Sequence, residues 1–74
     1  MMTTYKFRAD NSDAGYTFVK DAGFDWFEMK RGTTLEVEIT FTCDKTRNEL
    51  ADIANSKPAW WLIAATLDFS AAHA

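Results

Sequence analysis

The chain has 74 residues, 47% of them hydrophobic, with one cysteine, one histidine and a formal charge of −3. That size makes one domain, residues 1–74, whose core must come from apolar side chains alone. Cys43 without a partner excludes an internal disulfide, and Cys43 with His73 is too small a set for a zinc site, so neither metal nor cofactor is expected. The basic residues are dispersed in an acidic chain, which argues against general phosphate binding and against direct contact with nucleic acid. No apolar run is long enough to cross a membrane, and MMTTYKFRAD lacks an apolar signal core. With an unpaired cysteine, these features lead us to expect a cytoplasmic protein.

Thr4–Asp10 alternates Tyr5, Phe7 and Ala9 with Thr4, Lys6, Arg8 and Asp10, the period of a strand. The tripeptide Asp-Ala-Gly follows twice, as Asp13-Ala14-Gly15 and Asp21-Ala22-Gly23. Each copy offers a single carboxylate, with Asn11 and Asp10 near the first, which is too few oxygens for calcium. Asp, a small residue and Gly suit a turn ending in the left-handed region, so the two copies read as turns around a strand, Tyr16–Lys20. The alternative is a helix over residues 12–22 capped by Ser12, which gives the ferredoxin-like order βαββαβ. Gly15 and the run Tyr16-Thr17-Phe18-Val19 weigh against that helix by propensity.

Phe24–Lys30 reads as a strand of a hairpin, or as a short helix closed by Gly32. In Thr34–Cys43, Leu35, Val37, Ile39, Phe41 and Cys43 alternate with Thr and Glu, which predicts a half-buried strand. Thr46-Arg47-Asn48-Glu49 matches a capping box, with Asp44 a competing cap, and Leu50, Ile53 and Ala54 fall at helical spacing. A helix is therefore predicted over about 45–56, ending before Pro58. Trp60–Phe69 reads as a strand with Trp61, Ile63, Ala65, Leu67 and Phe69 on its core face and Trp60 and Leu62 on the other. Strand, helix and strand would form a βαβ crossover, with residues 70–74 a frayed tail. The expected fold class is thus α+β: a small antiparallel meander, one helix and a final strand, with the ferredoxin-like order as the alternative.

Glu36 and Glu38 share a face flanked by threonines, a solvated arrangement and not an acid/base pair. Cys43 points inward with no histidine near in sequence, and no glycine-rich phosphate loop is present. The expectation is a protein without enzymatic activity. The surplus is aromatic: Trp26, Phe27, Met29, Trp60 and Leu62 read as a binding face, with Asp25, Glu36, Glu38 and Asp68 as its acidic rim. The function expected is a protein-binding module, most concretely a small acidic inhibitor of a basic, nucleic-acid-handling protein. In size, acidity and lack of chemical motifs, though in no sequence motif, the chain is similar to phage-encoded anti-CRISPR proteins. The alternatives are an assembly subunit acting as a homodimer, in which Thr34–Cys43 pairs across a sheet edge, and a base-stacking sheet using Lys6, Arg8, Lys30 and Arg31 on phosphates.

Overall fold

The computed structural model describes residues 2–70. Along the chain run β1 (Thr3–Ala9), α1 (Ser12–Ala22), β2 (Trp26–Arg31), β3 (Val37–Cys43), α2 (Arg47–Asn55), a 3₁₀ turn (Pro58–Trp60), α3 (Trp61–Thr66) and β4 (Asp68–Phe69). The strands form one sheet in the order β2-β3-β1-β4, every adjacent pair antiparallel. The fold is therefore α+β; its order is close to the ferredoxin-like alternative and not to the meander, but departs from βαββαβ by the 3₁₀ turn and the extra helix α3 before the last strand. β1 lies between β3 and β4, so the expected direct βαβ pairing of the last two strands does not form.

The segment expected as a strand at Tyr16–Lys20 is helical because tertiary burial outweighs its strand propensity. Gly15, Phe18, Val19 and Ala22 recur at i, i+3, i+4 and i+7, and all are buried. Local signals agree: the Asn11 side chain accepts from the Ala14 N–H at 2.8 Å, and Asp13 and Lys20 complement the helix dipole. The two Asp-Ala-Gly copies thus differ in role. Gly23 sits at φ 74 as the C-cap of α1, where only glycine is comfortable. Gly15 lies inside the helix, not in a turn, on the face that packs against β3, where an added Cβ would run into Cδ1 of Ile39.

A second correction concerns Trp60–Phe69, which is a 3₁₀ turn, a helix and a two-residue strand. Pro58 occupies the first turn, where its missing N–H is not needed, and Lys57 before it is extended (φ −129, ψ 125). Trp60, Ile63, Ala64 and Leu67 then repeat the same i, i+3, i+4, i+7 spacing and pack into the core. Trp60 is consequently 4% exposed and Trp61 62%, the reverse of the strand phasing.

The α2 expectation holds in detail. Thr46 is the N-cap, its hydroxyl accepting from the Glu49 N–H (3.2 Å) while Glu49 accepts from the Thr46 N–H (2.9 Å). Of Phe24–Lys30, the part from Trp26 onward is a strand, β2, which runs on to Arg31, while Phe24 and Asp25 precede it. β3 is shorter than its alternation suggests: its pairing with β2 ends at Arg31↔Val37, leaving Leu35 in the connecting loop and 81% exposed. It is also interior to the sheet, so it offers no edge for pairing. Of the expected tail, residues 71–74 lie outside the described residues, while Ser70 is tied to β1 by its N–H to the Thr4 carbonyl (3.0 Å).

A single core joins β1 and β3 to all three helices. Its centre is aromatic: Phe18 meets Phe7 (5.0 Å), Phe41 (6.1 Å) and Trp60 (5.6 Å) edge-on. β4 begins too late to reach Arg8 of β1, and the Thr66 hydroxyl stands in for it, accepting from the Arg8 N–H at 2.8 Å.

Candidate interaction surface

Strand alternation decides what the second face of the sheet carries. Tyr5, Phe7 and Ala9 of β1, and Val37, Ile39, Phe41 and Cys43 of β3, face the core. Their neighbours therefore face the opposite side, where no helix of the described residues packs, since all three of their helices contribute to the one core. The register arranges that open face in rows. Trp26 lies beside Thr42 and Thr4; Glu28 beside Thr40, Lys6 and Asp68; Lys30 beside Glu38 and Arg8. Glu38 thus sits between two cations, and Lys6 stands opposite Asp68, pairings that favour the strand register observed. Arg8 forms an ion pair with Glu36 in the β2–β3 loop.

The nine residues expected to form one binding surface fall into separate places. Trp26, Glu38 and Asp68 are on the open face, and Glu36 closes one end of it through Arg8. Asp25 is exposed just before β2, its N–H donating to the Thr42 carbonyl at 2.7 Å. Phe27 and Met29 are on the other face of β2, half-buried against the core. Phe27 meets Phe24 (4.9 Å) and Tyr16 (5.9 Å), so α1 covers this side. Trp60 is removed from the surface altogether. Leu62 is half-buried on α3, where its carbonyl accepts from Thr66 (2.7 Å). The aromatic face of the sequence reading thus divides because Trp60 belongs to a helix and β2 turns its odd residues inward. Glu28 was missed altogether, and the bases Lys6, Arg8 and Lys30 entered only the base-stacking alternative and not the protein-binding face. Their signal was the even-numbered alternation in each strand.

One concavity flanks this face and another lies on the helix side of the sheet. A cleft of about 410 Å³ at the β2–β3 turn is lined by Arg8, Lys30, Arg31, Thr33, Thr34 and Glu36. Its Arg8 is held by Glu36 and its Lys30 lies opposite Glu38, so the positive charge there is largely compensated. A second, of about 340 Å³, lies between Tyr5, Phe69 and the start of α2; the exposed Phe69 ring stacks on Tyr5 at 5.4 Å. The Tyr5 hydroxyl donates to the Lys45 carbonyl (2.8 Å), and burial pushes its pKa up.

Cys43 is fully buried, and burial raises its thiol pKa, an environment opposite to that of a nucleophilic cysteine. Among the described residues, no group of three or more His, Cys, Asp or Glu is placed to hold a metal ion, and no helix is long and apolar enough to cross a membrane. No protein-family model, curated protein or solved structure matches the chain.

Proposed function

We propose that the chain is a non-catalytic protein-binding domain whose contact surface is the open face of its sheet. The observation that carries this reading is the one-sided sheet. Its uncovered face presents Trp26, 36% exposed, beside a grid of Lys6, Arg8, Lys30, Glu28, Glu38 and Asp68 at strand spacing. A tryptophan anchor beside oriented charges is the composition of a recognition surface. The grid also gives specificity, since a wrong partner places like charges together.

The most specific form of the reading is an inhibitor that blocks a larger protein by occupying its working surface. The signs alternate across the rows, so each carboxylate on this face has a base nearby. That favours a partner surface of mixed charge over the uniformly basic one that a phosphate mimic would seek.

Capture from a cell lysate on immobilised protein tests the proposal. A specific partner should be retained by the native chain and by Tyr16→Ala, which alters the helix side. It should be lost with Trp26→Ala and with Glu38→Lys. Retention unaffected by both open-face changes would overturn the assignment.

A further inference from the structure

We infer that the free edge of β2 is a homodimer interface, pairing antiparallel with a second copy of this chain about a two-fold axis through Met29. Among the described residues, β2 has one neighbour in the sheet, β3. Which of its backbone groups are left over follows from hydrogen-bond alternation. The Ser70 N–H reaches the Thr4 carbonyl, so even residues of β1 turn toward β4 and odd ones toward β3. By the register, even residues of β3 then turn toward β2, and the Asp25 N–H bound to the Thr42 carbonyl agrees. Trp26, Glu28 and Lys30 are thus engaged with β3, while Phe27, Met29 and Arg31 direct their N–H and C=O groups outward.

Two constraints select one register for a second copy. Opposed residues must share a face, so the two-fold axis passes through a residue and not between two. Axes through Glu28, Lys30 or Arg31 each set a charge against its own copy at the centre of the interface, and axes through Trp26 or Phe27 oppose Asp25, whose N–H is already bound to the Thr42 carbonyl, to an outward-facing residue of the partner. An axis through Met29 pairs Phe27 with the partner's Arg31 and Met29 with the partner's Met29, each exchanging both backbone bonds. It also sets Glu28 opposite the partner's Lys30, and Lys30 opposite the partner's Glu28. The open-face row Arg8, Glu38, Lys30 then continues into the partner's Glu28, Thr40, Lys6 and Asp68, alternating in sign across the whole assembly. Charged edge residues normally deter promiscuous pairing; here they are satisfied by one arrangement, which makes the edge selective. On the helix side, the exposed Tyr16 and half-buried Phe27 lie at the seam, where the partner's Arg31 can stack on them.

Sedimentation velocity of the full chain across a concentration series tests the interface. The native chain should form a dimer. Glu28→Lys and Lys30→Glu, both at exposed positions, should each weaken it about tenfold or more. The combined exchange Glu28→Lys with Lys30→Glu should restore it. Amide exchange gives a second readout: protection at Phe27, Met29 and Arg31 should rise with protein concentration, while Glu28 and Lys30 stay protected throughout. A chain that is monomeric at all concentrations, a dimer indifferent to either single reversal, or concentration-dependent protection elsewhere would each overturn the inference. A monomeric result leaves the open-face reading untouched, because that surface is complete within one copy.

Discussion

Trp60 and Trp61 are adjacent, chemically identical and oppositely placed, 4% and 62% exposed, so the pair isolates what the fold does to one side chain. Truncating a buried tryptophan to alanine costs about 3–5 kcal/mol in transfer and cavity terms. Trp60 adds an edge-on contact with Phe18 at 5.6 Å, in the class worth about 0.5–1.5 kcal/mol. The Lys57 ammonium also lies 4.4 Å from its ring, a contact class worth about 0.5–1 kcal/mol when exposed. Stability near 0.05–0.15 kcal/mol per residue gives this chain roughly 4–11 kcal/mol in all. Trp60→Ala should therefore remove most of it, whereas Trp61→Ala should stay within about 0.5 kcal/mol of the native chain. Urea unfolding followed by far-ultraviolet circular dichroism measures both. Should Trp60→Ala fail to fold, Trp60→Phe still ranks against Trp61→Ala. A larger loss at position 61 than at 60 would refute the helical phasing of this segment and restore the strand.

Three further expectations probe the elements around that core. Gly15→Ala should destabilise by about 1 kcal/mol, because overpacking against Ile39 outweighs alanine's better helix propensity; Ile39→Val removes the colliding methyl, so purely additive losses in the double variant would refute the contact. The capping box holds the Glu49 carboxyl below its ordinary 4.5, chiefly through its bond to the Thr46 backbone. A depressed folded value means this stabilisation is present above the unfolded value and lost as pH falls through the folded one. Loss of the Thr46 cap should cost about 1 kcal/mol at neutral pH, and Glu49→Gln should flatten the stability profile in the acid limb below 4.5; an unchanged profile would sink the assignment.

What the amino-acid pattern determined by itself was local. The capping box at Thr46 and Glu49, the alternation of β1 and β3, and the left-handed conformation at Gly23 each depend on neighbours a few residues apart, and each is found in the fold, though Gly23 closes a helix and not the expected hairpin turn. The two segments that changed identity share one signature. Gly15, Phe18, Val19 and Ala22, and again Trp60, Ile63, Ala64 and Leu67, recur at helical spacing inside runs of strand-forming residues. Their propensity and their periodicity conflict, and burial against β1 and β3 resolves the conflict toward the helix. The candidate surface depends on the same decision. Once α1 and α3 cover one face, Trp60 and the odd side of β2 turn to the core, and the alternating charges of the even side are left uncovered. That face is assembled from four strands brought together across the whole chain, so only the tertiary register could set Glu38 between Lys30 and Arg8.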